Sequence, residues 1–287
     1  MLQYKKKAAA VLLVLACVLS LAACGKKEPD PHAGMVNVNT GGADNWIYPA
    51  EGVPVANFQE SEFVSDGNIV RYTGSAYESA LGIDVSFYQG DIDWKAVADA
   101  GVEFAMIRCG YRGYSQGDIF EDEKFQQNME GALAAGLRVG VYFFSQSVGA
   151  HEAAEEALYV LDKIKGYDVT MPVAFDWEPM DGGRSDGVDI EALTNSADVF
   201  CKVIQDAGYQ PCVYFFRSLA YYDYDLSQLA DYTFWVGAPG TYPDFYYAHS
   251  IWQFSFTGKI DGIQGDVDLN LELIPVEIPA PTAQGNG

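Results

Sequence analysis

The sequence predicts an α/β fold built as a single barrel domain. Between residues 81 and 274, short apolar runs alternate with amphipathic stretches. The connections are long enough to hold helices, which implies mainly parallel strand pairing, and the span suits one barrel slightly below the usual length.

Taken in order, the expected strands are Gly82 to Ser86, Phe104 to Cys109, Leu137 to Phe144, Met171 to Trp177, Pro211 to Phe216, Thr233 to Val236 and Ile251 to Phe254. Helices fall between them. Lys95 to Ala100 is short, and Asp122 to Ala135 spaces Phe125, Met129, Ala132 and Leu133 helically before Gly136. Ala150 to Lys165 puts Ala154, Ala157, Leu158, Leu161 and Ile164 on one stripe. Ile190 to Ala207 does the same with Leu193, Ala197, Phe200, Val203 and Ile204, ahead of Gly208. After Phe216 the pattern changes to aromatic-rich stretches at Tyr221 to Tyr224 and Thr241 to Tyr247. A regular eightfold repeat is therefore not expected in the last third.

The flanks read differently. Lys5, Lys6 and Lys7 precede an apolar run from Ala8 to Leu21, and Leu21-Ala22-Ala23-Cys24 follows. This resembles a bacterial lipoprotein signal, which implies removal of residues 1–23 and a lipid anchor on Cys24 at a membrane's outer face. The run is shorter than the roughly 20 residues that span a bilayer. Residues 24–80 are polar and broken by Pro29, Pro31, Gly34, Gly41, Gly42, Gly52 and Pro54, so they read as a spacer with a random-coil reach of roughly 40 Å. Trp46, Ile47, Tyr48 and Phe58 are candidates to dock its later part. Residues 275–287 read as a flexible tail.

The net charge is −23, and removal of residues 1–23, with three lysines and no acid, leaves about −26. Nucleic acid is not an expected partner of so acidic a chain. Cys109, Cys201 and Cys212 lack metal-ligand spacing and read first as buried thiols, with a Cys201–Cys212 disulfide as the alternative for an exported protein. His32, His151 and His249 stand far apart, no Gly-rich phosphate loop or Gly-x-Ser-x-Gly elbow occurs, and no metal or cofactor is expected.

The chemistry concentrates at Asp176-Trp177-Glu178, at the end of the apolar run from Met171. In a strand alternate side chains share a face, so both carboxylates project into one space and Trp177 points away to pack. Their repulsion and burial raise one pKa and leave the other group ionised, a split suited to glycoside or ester chemistry. In a parallel barrel the reactive groups gather at the C-terminal strand ends, where this pair sits. Asp84 lies within the first apolar strand and Asp268 in Gly265-Asp266-Val267-Asp268-Leu269-Asn270; each either bonds a neighbouring strand or faces the same cleft. Tyr111, Tyr142, Phe144, Tyr214, Phe216, Trp235 and Trp252 accumulate near these ends. Acids combined with aromatic faces suit a carbohydrate ligand.

Gly82-Ile83-Asp84-Val85-Ser86 with Tyr88-Gln89-Gly90, Ile107-Arg108-Cys109-Gly110-Tyr111, Gly140-Val141-Tyr142-Phe143-Phe144, Asp176-x-Glu178, Ile251-Trp252-Gln253 and Val267-Asp268-Leu269-Asn270 together resemble glycoside hydrolase family 25, the Chalaropsis-type lysozymes. The resemblance runs from Leu81 to Glu272. It implies an irregular, flattened (β/α) TIM-like barrel as a single catalytic domain over residues 81–274. It also implies cleavage of the β-1,4 bond between N-acetylmuramic acid and N-acetylglucosamine in peptidoglycan. By the same resemblance Glu178 is the general acid, Asp176 its partner, and Asp84 and Asp268 the flanking acids, with Tyr142, Trp235 and Trp252 shaping the cleft and Arg108 structural. Tyr214 completes the expected substrate contacts. The family often has histidine where this chain has Phe143, a departure that bears on subsite contacts.

The charge that develops at the sugar carbon can be met by a protein nucleophile, by water, or by the substrate's own N-acetyl carbonyl. The favoured reading is N-acetyl participation with Asp176 orienting the amide; the alternatives are a catalytically inactive wall-binding lipoprotein and a hydrolase of another N-acetylated glycan such as chitin.

Overall fold

The structure, a computed structural model, describes residues 30–42 and 44–276. The signal-like segment, Cys24 and the tail from residue 277 lie outside the described residues. Among the described residues no helix is long and apolar enough to cross a membrane.

Two short ribbons come first, β1 (Val36–Asn39) with β2 (Asp44–Ile47) and β3 (Phe63–Asp66) with β4 (Ile69–Tyr72). The barrel then begins with β5 (Tyr77–Val85) and β6 (Phe104–Arg112). The short β7 (Ile119–Glu121) pairs antiparallel with the end of β6. The barrel continues through β8 (Arg138–Ser145), β9 (Val173–Trp177), β10 (Pro211–Phe216), β11 (Thr233–Gly237), β12 (Ile251–Gly258) and β13 (Val267–Pro275). Neighbours from β5 through β12 run parallel, and β13 closes the ring antiparallel to both β12 and β5. The result is the expected α/β barrel, closed by eight strands. The closing strand is absent from the seven expected ones, although Val267, Leu269, Leu271 and Leu273 alternate with polar residues as a strand should.

Helices are few and lengthen as far as the fourth before the last shortens: α1 (Trp94–Asp99), α2 (Phe125–Ala134), α3 (Ala150–Lys163), α4 (Ile190–Asp206) and the short α5 (Arg217–Tyr222). Asp93 and Asp189 cap α1 and α4, each carboxylate accepting a first-turn N–H at 3.1 and 2.8 Å. No helix joins β11 to β12, as the sequence's loss of periodicity foretells.

On α3 the buried face is Ala153, Glu156, Ala157 and Val160, with Ile164 at the cap, while Leu158 is 60 % exposed. The expected stripe was therefore rotated. The cause is Glu156, fully buried because Arg112 Nε donates to it at 2.6 Å and Ser145 Oγ at 2.7 Å. Counting it as a solvent-facing acid shifts the phase of the helix.

Strand alternation divides the core into two shells. Outward residues such as Ile83, Ile107, Val141, Phe175 and Val213 pack under the helices. Inward ones, including Phe104, Met106, Met171, Cys212 and Ile251, fill the lumen. Phe104 lays its ring over Gly82, its register partner on the adjacent β5, where a Cβ would meet the ring at 2.2 Å, so that strand position has room only for glycine. The lower end is closed by Arg138, which donates to Glu272 at 2.6 Å. The lumen is thus a packed plug below and an open cleft above.

The expected spacer is corrected by the structure. Val53, Phe63, Val70 and Tyr72 are buried within the outer core, and Phe63 meets Trp252 edge-on with centroids 5.6 Å apart. Phe58 packs on His249 at 5.1 Å, and Val55 bridges to Tyr247. From Asn37 on, this segment is a collar on the barrel. Its apolar residues are spaced too irregularly for a periodicity test to find them.

Cys109, Cys201 and Cys212 are free and buried, so the disulfide alternative is set aside. Cys201 Sγ instead lies 3.8 Å from the Cys212 carbonyl oxygen.

Candidate active site

The upper lumen opens into a cleft of about 560 Å³, within the range of small-molecule sites. Asp84, Tyr142, Asp176, Glu178, Tyr214, Trp235 and Asp268 line it, which gathers all but one of the expected catalytic and substrate-contacting residues in one place. Each is there by strand register. Asp176 pairs with Phe144 on β8 and Tyr214 on β10, and it points inward two positions after Ala174. Glu178 follows on the same face, just beyond the last ladder pair. Trp177 faces out, donating Nε1–H to the Ser147 carbonyl at 3.1 Å.

Trp252 is the exception. It does not line the cleft; it is fully buried in the outer core, where its Nε1–H donates to the Ala238 carbonyl at 2.8 Å. On β12 the inward positions are Ile251 and Gln253, so the residue between them must face outward. Phe143 is likewise outward, packed on Tyr159 of α3 at 5.9 Å. The departure there falls on the barrel's outer face and leaves the cleft untouched.

Two amides hold the acids in place. Asp84 Oδ2 accepts from Asn270 Nδ2 at 2.7 Å and from Gln253 Nε2 at 2.8 Å. Asn270 in turn accepts from Trp235 Nε1 at 2.8 Å, and Gln253 from the Tyr214 hydroxyl at 2.8 Å. Gly237 leaves room for that last bond, since a Cβ would approach the Tyr214 oxygen to 2.7 Å. Gln253 and Asn270 carry no expected role from the sequence. The usable signal was position: Asn270 is two residues after Asp268, on the same strand face.

The four acids share a single electrostatic problem. Burial raises the pKa of each, and mutual repulsion raises Asp176, Glu178 and Asp268 further. Asp268 is pushed up to about 9 and keeps its proton, which it donates to Asp84. The amide bonds to Asp84 oppose its rise, so charge is best tolerated there. Asp176 lies well above the ordinary carboxylate range, through burial first and Glu178 second, with Arg108 pulling it back. Its Oδ1 is buried with no partner among the protein atoms.

Arg108 is more than the structural residue expected. Its Nε donates to Asp122 at 2.7 Å, its guanidinium lies 5.2 and 5.4 Å from the Phe87 and Tyr88 rings, and it forms part of the cleft wall. Among the described residues no cluster of His, Cys, Asp and Glu is arranged to hold a metal ion.

Comparison with known proteins gives concordant results. The autolytic lysozyme of Clostridium acetobutylicum is 27 % identical over 190 residues, covering 66 % of this chain and 54 % of that protein. Lysozyme M1 of Streptomyces globisporus is 28 % identical over 221 residues, covering 70 % of each. The modular autolysin LytC of Streptococcus pneumoniae, solved in complex with a synthetic peptidoglycan ligand, superimposes with a TM-score of 0.59 at 26 % identity, covering 68 % of this chain and 46 % of that one. The chain thus spans about half the length of the clostridial relative and of the pneumococcal autolysin. The family model for glycosyl hydrolases family 25 matches residues 83–263, most of the barrel, and the chain belongs to that family.

Proposed function

We propose that the protein is a lysozyme that hydrolyses peptidoglycan at the β-1,4 bond between N-acetylmuramic acid and N-acetylglucosamine. Family membership and a neighbour solved with a peptidoglycan ligand support the substrate class. Glu178, whose pKa burial and then Asp84 raise, gives its proton to the glycosidic oxygen as the bond breaks. The substrate's N-acetyl carbonyl attacks the sugar carbon from the other face. Asp176, once it has given up its own proton, accepts the N–H of that amide and stabilises the charge that builds on it.

The observation that carries this assignment is the unpartnered, buried Asp176 Oδ1 beside Glu178. A buried acceptor without a donor costs roughly 1–3 kcal/mol, and a substrate amide entering the cleft would supply the missing donor. The bond cleaved is tested by borohydride reduction of the digest: muramitol supports the assignment, whereas glucosaminitol overturns it. Proton NMR of the first product tests the mechanism, since an inverted anomeric centre excludes N-acetyl participation.

The reading of Cys24 as a lipid attachment site, facing the cell wall from a membrane's outer surface, belongs to the same proposal. It rests on the sequence of residues 5–24 alone. If Cys24→Ala left the protein in the membrane fraction, that anchor would be excluded.

A further inference from the structure

The ladder between β8 and β9 ends at the pair Ser145 and Trp177, one residue short of Glu178. Past that point no strand bond fixes the backbone that carries the acid. A side chain takes over. Gln146, fully buried, donates Nε2–H to the Glu178 carbonyl at 2.6 Å and to the Ser145 carbonyl at 3.0 Å, and its Oε1 accepts from Ser185 Oγ at 2.8 Å. Both amide hydrogens and the amide oxygen are engaged, and Gln146 is not among the residues lining the cleft.

The clamp is itself held. Arg184 donates to the Gln146 carbonyl at 2.8 Å and forms a paired bond to Glu152 at 2.6 Å on each oxygen. The loop that leaves Glu178 is thereby fastened back onto the end of β8 and the first turn of α3. Trp177 ties in from the other side through Ser147.

We infer that Gln146 is a positioning residue for catalysis: by gripping the Glu178 backbone carbonyl it extends the ladder one residue and aims the carboxyl into the cleft. Resting on the proposal that Glu178 is the general acid, this goes beyond it by naming what sets the acid's direction. Misplacement of a reacting group by about 1 Å costs up to 10²-fold in rate, so a group that never touches substrate can govern turnover.

The test is Gln146→Met, which keeps the volume and removes all three bonds, assayed on soluble peptidoglycan fragments well below its melting transition. Expected are a roughly 10- to 100-fold fall in kcat, a KM within about twofold, and a basic limb of the pH profile moved to lower pH as the acid leaves its buried setting. A folded variant with parental kcat and an unmoved limb overturns the inference and leaves Gln146 a loop fastener only. Should Gln146→Met not fold, Ser185→Ala frees the amide oxygen alone; a kcat loss of about threefold with the same limb movement supports the inference, and parental values overturn it. Glu178→Gln separates the two levels. If Glu178→Gln stays active the acid assignment falls and this inference with it, whereas an inactive Glu178→Gln beside a parental Gln146→Met removes this inference alone.

Discussion

Asp84 and Asp268 stand directly opposite each other on the antiparallel pair of first and last barrel strands, and a single proton bridges them. The pair concentrates negative charge on Asp84, where two amides receive it, and keeps Asp268 neutral. Such sharing lets four acids occupy one cleft without four full charges.

The Asp268 pKa, raised to about 9 in the folded protein, fixes the sign of a stability effect. Its contribution is fully present below the unfolded pKa near 4 and is lost as pH rises through 9, because the unfolded chain ionises first. Asp268→Asn keeps a donor to Asp84 but cannot ionise. The melting-temperature gap in favour of Asp268→Asn is therefore expected to be near zero at pH 4 and to widen steadily towards pH 9. A gap independent of pH over that window would contradict the raised pKa.

Glu178→Gln is expected to lower kcat by roughly 10²–10⁴, the range for loss of a general acid, and to melt somewhat higher at pH 7, because burial and Asp84 raise the pKa of the carboxyl it replaces. Asp176→Asn should lose activity by about 10²-fold yet melt higher at pH 7. Asp176 is fully buried and strongly raised, so its ionisable carboxyl costs the fold stability above pH 4, and the amide removes that cost. Paired turbidity assays and thermal melts check both outcomes.

Trp235 and Trp252 separate into different roles. Trp235→Phe cuts the bond that orients Asn270 on Asp84 and leaves the buried Asn270 oxygen without that donor, so a kcat loss of about tenfold is expected together with a stability loss of roughly 1–3 kcal/mol. Trp252→Ala opens the contact with Phe63 and should cost about 3–5 kcal/mol of stability, while the residual folded fraction retains its KM. Denaturant unfolding and initial rates distinguish the two.

Three buried free thiols make a chemical prediction for the protein lacking residues 1–24. Burial holds all three pKa values far above that of an exposed thiol. None should react with a thiol reagent under native conditions, three should react after unfolding, and reductant should leave the melting temperature unchanged.

Deleting residues up to 76 removes Phe58, Phe63, Val70 and Tyr72 from their contacts with the barrel. A loss of at least about 4 kcal/mol is expected from the aromatic burial alone. Chemical denaturation of the deletion variant measures it, and a fall of under about 1 kcal/mol would reinstate the spacer reading.

The barrel and its acids were legible because both obey short-range rules. Alternation placed Asp176 and Glu178 on one face, and the same rule applied to β12 would have turned Trp252 outward and brought Gln253 in. What stayed hidden depends on partners remote in sequence. Glu156 is buried only because Arg112 and Ser145 meet it, and the collar packs only because the outer face of β12 offers Trp252. Asn270 and Gln253 acquire a role only once β13 is seen beside β5, a juxtaposition no local window contains.

That closing strand has a consequence for how the molecule comes into being. β13 brings Asp268 and Asn270, and its partner β5 brings Asp84, yet almost the whole barrel sequence separates them. Pairings so distant along the chain form late and slowly, because the intervening segment must be ordered first. The cleft's charge is therefore balanced only when synthesis has reached its final strand. A chain that stops short, even after every helix is complete, carries Asp176 and Glu178 in an open sheet with no opposing wall.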